Sequence, residues 1–406
     1  MEARRKGLLA ALVVLCLIAA ARIGSMFYQI RAAETKAQKA AAEAAAKLSE
    51  ERFHPSPHVI ELLNRTDALP PRFDGGFPCV FASVTGAEVL PQLGTCAMPE
   101  KPTGPVDRFE VDLRYGHFVL RQSDLYINDV FEAPLTRTYN SGDYVSLNRV
   151  HAFGKNTNHP YDIAPLGTRF PYTYNFIALE DGDFFFFPRV SEGGGFADAI
   201  FQHTETSTRF YKAVTAWNGD GWMTWLTDGS AIRFPEAYNS TNMAQGAAVE
   251  MRDAAGNMLK LLRDGQRNLL EIRTPNQHSI KFKYDELSRV TRAQDDQGNW
   301  SQYHYSGDGM LVDAVFSSGH ARHYSYDALL MTDVEDENHK VLLRNSYQNG
   351  FLIRQDFGGG KIYSYSYTPS QSRTYFERAT VTLPDGSVAT VAPSDSVPEH
   401  VKNPPH

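Results

Sequence analysis

The chain has 406 residues, with 40 Lys plus Arg against 47 Asp plus Glu and a net charge of −7. That balance leaves no basic footprint for a polyphosphate, so nucleic acid is not an expected partner. Hydrophobic residues at 42% and charged residues at 21% allow a buried core and exclude wholesale disorder, while 20 Tyr and 24 Phe point to an all-β body because flat rings pack well on pleated surfaces.

At the amino terminus Arg4, Arg5 and Lys6 precede Gly7 to Ala21, which is uncharged and almost wholly apolar. Arg22 interrupts this run, but Ile23 to Tyr28 extend it to 22 residues, and about 20 cross the hydrocarbon core. Arg22 can snorkel to the far interface beside Tyr28. Residues 1–30 are therefore read as a signal anchor and transmembrane helix, with cleavage at the small residues Ala19 and Ala21 as the alternative. Both readings put the body outside the cytosol, in the periplasm or at the cell surface, or secreted if the leader is cleaved.

Residues 31–58 read as a helical stalk. From Arg31 to Arg52 the chain is rich in Ala, Glu, Lys and Gln without Gly or Pro, which favours a single helix. Its apolar content is nearly all Ala, so it has no wide stripe to bury, and it could hold the body about 33 Å from the membrane. His54, Pro55, Ser56, Pro57 and His58 end it. Two histidines in a Pro-rich linker make a poor metal site, and no metal or cofactor is expected elsewhere.

Residues 59–104 read as an irregular linker region. Cys79 and Cys96 are the only cysteines beyond the apolar segment, which holds Cys16. In an oxidising compartment they are expected to pair, closing a loop of about 17 residues for about 3 kcal/mol. Two unpaired small buried residues are the alternative.

Residues 105–250 read as a β-region that leads into the most specific signal, a repeat over 251–368. Tyr284, Tyr305, Tyr326 and Tyr347 each stand 21 residues apart. Phe282, Tyr303 and Tyr324 precede them by two positions, and Val290, Leu311, Thr332 and Ile353 follow by six. A glycine column runs through Gly256, Gly298 and Gly319, with Gln277 and Lys340 as exceptions, and a last unit recovers Gly360, Tyr365 and Tyr367 after losing one residue. Within one unit, Ile280, Phe282 and Tyr284 alternate with polar residues, the pattern of a half-buried strand. Each unit is two strands and two turns, so neighbouring units must stack and continue one sheet with an inward ladder of rings. Residues 369–406 read as a carboxyl-terminal tail.

Phe282 to Asp285 with Ser288, Arg289 and Val290, then Tyr326 and Asp327, resemble the Tyr-Asp (YD) repeat of the rearrangement-hotspot (RHS) family. Upstream, Gly116, Phe118, Val119, Leu120, Gln122, Asp124 and Leu125, then Pro134, Leu135, Arg137, Tyr139, Asn140 and Ser141, are similar to the segment that precedes the repeats in that family. Gly219 to Trp222, Asp228, Gly229, Phe234 and Asp253 to Asn257 fit its early repeats. The resemblance covers Pro105 to Thr368 and implies an antiparallel β-ribbon winding into a spiral or shell, often one that encloses a carboxyl-terminal toxin and is exported by bacteria. The Asp-Pro-x-Gly element of shell closure has no match here, and only 38 residues follow Thr368, so a partial shell without enclosed cargo is expected.

Candidate chemistry reduces largely to turns. Glu180, Asp181 and Asp183 could serve as paired acids in sugar hydrolysis, but they read more simply as a turn into the strand Phe184 to Phe187, stopped by Pro188. His320 and His323 are expected on opposite faces of a strand. Asn218 to Gly221 lack the spaced carboxylates of a calcium loop, and Gly193 to Gly195 have no following helix for a phosphate. The expected function is that of a membrane-anchored, exported, non-catalytic surface for an unidentified protein or glycan. The alternatives are an accessory or remnant component of a polymorphic toxin system, and a glycan-binding or glycan-acting protein.

Overall fold

The computed structural model of the protein describes residues 36, 53–66, 76–85, 88–98, 107–143, 151–167, 171–237 and 243–404. The chain divides into two units, Met1–Pro55 and Ser56–His406. In the first, Lys36 is helical and exposed, while the expected anchor and almost all of the stalk lie outside the described residues. No helix among the described residues is long and apolar enough to cross a membrane.

The second unit begins with α1 (Pro57–Leu63), capped by the Ser56 hydroxyl, which accepts from the Val59 N–H at 3.3 Å. A six-stranded lead-in sheet follows among the described residues. It is built from β1 (Gly76–Thr85), β2 (Glu88–Ala97), β3 (Asp107–Asp112), β4 (His117–Ile127), β5 (Ala133–Asn140) and β6 (Thr157–Asn158), in the order β2-β1-β3-β4-β5-β6. The stretch read as irregular linker thus contains the hairpin β1–β2. Pro78 and Pro91 disguise it, since a strand proline is tolerated where the ladder on one side is missing. Pro91 lies in the edge strand β2, and Pro78 lies in β1 just before its pairing with β3 begins at Cys79. A small sheet of β7 (Ala164–Gly167), β8 (Tyr174–Ala178) and β9 (Phe184–Pro188) comes next.

The ribbon is an 18-stranded antiparallel sheet among the described residues, with every strand hydrogen-bonded to its neighbours in chain order. It runs from β10 (Ile200–Gln202) through β16 (Leu269–Arg273) to β27 (Val388–Val391). The repeats occupy β17 (Ser279–Tyr284), β18 (Val290–Asp295), β19 (Trp300–Tyr305), β20 (Leu311–Phe316), β21 (Ala321–Asp327), β22 (Leu330–Asp336), β23 (Val341–Gln348), β24 (Phe351–Asp356) and β25 (Ile362–Pro369). Two further strands, β26 (Phe376–Thr382) and β27, continue the sheet into the region read as tail. They carry no tyrosine anchor, so a count based on Tyr stops too early.

The period has a physical cause. The hydroxyls of Tyr305, Tyr326, Tyr347 and Tyr367 donate to the carbonyls of Val290, Leu311, Met331 and Leu352 at 2.6, 2.7, 2.9 and 2.8 Å. Each acceptor is the residue paired with the preceding unit's tyrosine, as in Tyr284↔Val290 and Tyr305↔Leu311. One tyrosine therefore closes its own hairpin and ties it to the one before. In the third and fourth units the paired residues are Met331 and Leu352, both buried, which corrects the Thr332 and Ile353 expected from a constant offset of six. The five-residue loop Asp285–Arg289 is replaced in those units by the two-residue turns Ala328–Leu329 and Asn349–Gly350, the latter with both φ angles positive, as tight hairpins require. In the third unit a register shift between Val334 and Glu335 returns the lost residue and keeps the spacing at 21.

Tyr326→Phe removes one such donor and leaves the Leu311 carbonyl short of a partner, so urea unfolding is expected to show a loss of about 1–2 kcal/mol.

Candidate functional site

The repeat turns hold a recurrent geometry that explains the glycine column. Gly298 and Gly319 have φ of 93° and 88° in five-residue turns, a left-handed conformation that glycine adopts without strain. In the turn of Gly298 the Asp295 carboxylate accepts the Asn299 backbone N–H at 2.8 Å and its side-chain amide at 2.7 Å. Gln277 takes φ of 70° at the corresponding place, and in the last full unit His339, one residue before Lys340, takes φ of 59°.

Cys79 and Cys96 form a disulfide on neighbouring strands, with Cα atoms 5.7 Å apart, and both are fully buried. Converting both to Ser is expected to lower the unfolding free energy by about 3 kcal/mol, measured by urea titration against the oxidised wild type.

The lead-in sheet and the ribbon share one hydrophobic cluster, in which Val80, Phe109, Phe118 and Leu135 join Ile280, Phe282, Leu311, Val334 and Leu352. Within it lies a buried polar network. Arg137 Nε donates to Asp124 at 2.5 Å, and its Nη2 donates to Asp124, Gln122 and the Tyr324 hydroxyl at 3.0, 3.2 and 3.1 Å. The Tyr303 hydroxyl donates to Asp124 at 2.6 Å, and the Tyr324 hydroxyl donates to Gln122. Tyr139 adds a bond to the Leu329 carbonyl at 2.8 Å and accepts the Met331 N–H at 2.9 Å. The polar residues of the lead-in motif thus bind the tyrosine column that stands two positions before the anchors. Main-chain bonds fix the same contact, from Val290 to Ala152, Leu352 to Gly116 and Phe376 to Arg114, at 2.7, 2.9 and 2.8 Å.

A cavity of about 270 Å3 opens where the turn between β3 and β4 meets the Asp181–Asp183 turn. Arg114, Tyr115 and His117 form one wall, and Gly182 to Phe185 form another. Phe351, Phe376 and Arg373 to Tyr375 come from the ribbon, and Pro398, His400 and Val401 from the segment around α2 (Glu399–Lys402). His400 is held there by Glu205 at 2.6 Å. Arg114 is fully buried, grips Asp112 at 2.6 Å, stacks on Phe77 at 4.0 Å and reaches Asp183 at 3.4 Å. Gly142 leaves room for the His117 ring, which would lie 1.9 Å from any Cβ at that position.

Burial lowers the His117 pKa to about 4 against an opposing pull from Asp112, so the ring is neutral near pH 7. The Asp183 carboxyl moves the other way, raised by its low-dielectric surroundings and then by the charge of Asp181. Glu180 is raised by the same two causes. Asp181 is already engaged, accepting from Arg121 at 2.7 Å and from the Asp183 N–H at 3.2 Å. Only Asp183 of this acidic group lines the cavity, so the two carboxylates do not present themselves together to a substrate. The strand after the turn is β9, as the apolar run ending at Pro188 implies.

His320 and His323 diverge, pairing with Glu337 at 3.4 Å and Asp313 at 2.7 Å, and no group of His, Cys, Asp and Glu able to hold a metal occurs among the described residues. Nothing in the sequence flagged Arg114, Tyr115, His117 or Tyr375, which line one cavity with Asp183 only through the fold.

Hairpin repeats tied by tyrosines and packed on the lead-in sheet define an antiparallel β-repeat ribbon. Residues 224–342 match the family model of the teneurin YD-shell, and residues 110–166 match that of a domain of unknown function, DUF6531. These two stretches of the chain are similar to the RHS/YD repeat and to the segment that precedes it. Among solved structures it is similar to the crystal structures of TcdB2-TccC3-TEV, of TcdB2-TccC3-Cdc42 and of TcdB2-TccC3 without its hypervariable carboxyl-terminal region. Identity is 13% in each case, with TM-scores of 0.29, 0.28 and 0.28. These matches cover 71%, 75% and 78% of this chain but only 19%, 16% and 19% of the others. No curated protein matches the chain.

Proposed function

We propose that this protein is a membrane-tethered, exported RHS-type scaffold that presents a non-catalytic binding surface. The observation that carries this reading is the occupied inner side of the ribbon. Tyr303 and Tyr324 are bonded to Asp124, Gln122 and Arg137 of the same chain, so the lead-in sheet takes the place that cargo would need. The engagement of Asp181 by Arg121 supports a surface without paired catalytic acids. The tether rests on the apolar segment Gly7 to Tyr28, and the buried disulfide accords with export.

Fractionation of cells producing the full chain tests this directly. The protein is expected in the membrane fraction, accessible to protease from outside the cytosol and oxidised at Cys79 and Cys96, and deletion of 7–28 is expected to release it. A cytosolic chain with both thiols reduced overturns the reading. The accessory-component reading draws on one feature, the exposed terminal ribbon strand β27, with Val388 at 63% exposure. A separately encoded strand pairing there would favour it.

A further inference from the structure

The cavity beside Asp183 holds polar groups that the fold leaves unused. Asp183 keeps 31% exposure and meets one side chain, Arg114, at the long distance of 3.4 Å. Arg114 itself is committed to Asp112 through Nε at 3.1 Å and Nη2 at 2.6 Å, so it offers little to an incoming anion. No described residue pairs with the hydroxyls of Tyr115 or Tyr375, and Arg373 stands exposed at the rim. The half-buried rings of Phe184, Phe351 and Tyr375 supply apolar wall. At about 270 Å3 the space falls below the roughly 300–1,000 Å3 of pockets for larger organic ligands and suits one ring.

We propose that this cavity binds a single neutral pyranose ring, the terminal residue of a glycan. Asp183 accepts hydrogen bonds from adjacent ring hydroxyls, Tyr115 and Tyr375 complete the polar side, and Phe351 packs against the C–H face. Hydroxyls satisfy a carboxylate that has few partners of its own, and aromatic walls bury the apolar side of a sugar. An anionic sugar would meet the Asp183 charge as that group ionises and binds more weakly. Because burial and Asp181 hold the Asp183 carboxyl above the usual range, the strongest acceptor forms only as that group ionises, and affinity rises with pH through its titration. The proposal rests on the binding part of the function stated above and is separable from it.

The test is saturation-transfer NMR on the full chain with the methyl glycosides of glucose, galactose and mannose, and with methyl glucuronide. At least one neutral glycoside is expected to bind, with methyl glucuronide at least tenfold weaker. Asp183→Asn is expected to weaken binding about tenfold or more and to abolish its pH dependence. Tyr375→Phe, which removes one hydroxyl and little else, should cost a few-fold and confirms the site if Asp183→Asn proves unstable. Absence of binding by all three neutral glycosides, equal binding of glucuronide, or unchanged affinity in Asp183→Asn each overturns the proposal while leaving the scaffold reading intact. A glycoside that binds and is then hydrolysed keeps the site and sinks the non-catalytic reading instead.

Discussion

Replacing Arg137 with Met is expected to cost about 3–5 kcal/mol of unfolding free energy, because it strands the Asp124 carboxylate in the core. The Asp124 side chain has no exposure and that of Arg137 has 3%. Asp124 would keep the Tyr303 hydroxyl as a donor but would lose its countercharge. Adding Asp124→Leu to the variant should recover at least about 1 kcal/mol, since an apolar pair avoids the unpaired charge. A double variant that is less stable than Arg137→Met alone would show that the charges are not the dominant interaction. Urea unfolding of the three proteins at one pH decides the matter.

Acidification is expected to remove about 3 kcal/mol of the stability contributed by His203 between pH 6.5 and 4. His203 is fully buried, and its Nδ1 faces the Phe186 carbonyl at 2.8 Å. Nε2 accepts the Thr206 N–H at 3.2 Å, so protonation there would oppose a donor to a donor. Burial depresses its pKa to about 4. A depressed histidine favours the folded state fully above its unfolded pKa, and that contribution drains as pH falls towards the folded value. Asp183 and Glu180 act in the opposite sense, because their raised values favour folding as pH drops below them. His203 must therefore be isolated by comparison with His203→Gln. The stability difference between wild type and variant should shrink by about 3 kcal/mol from pH 7.5 to pH 4, and an unchanged difference would contradict the assignment.

The ribbon was legible because its cause is local. A tyrosine that bonds the carbonyl beside the previous anchor imposes a fixed spacing, and that spacing survives in the residues. The slip at Met331 and Leu352 was not legible, since a shortened hairpin turn in the third unit is compensated by a bulge on the same unit and the period of 21 persists. The lead-in motif could be recognised by resemblance, but its purpose could not, because Arg137 and Tyr324 lie 187 residues apart. The same separation hid the cavity. Asp183 looked like part of a turn, which it is, and only the fold brings Arg114, 69 residues away, to its side.

Hydrogen exchange of the full chain tests the docking of lead-in sheet and ribbon most directly. If the two form one packed body, the central amides of β4 and β5 and those of β17 to β24 should exchange with one common opening free energy, and Arg137→Met should lower it for both sets together. Faster, independent exchange of β4 and β5 over a ribbon that stays protected would show an unoccupied inner face and contradict the account.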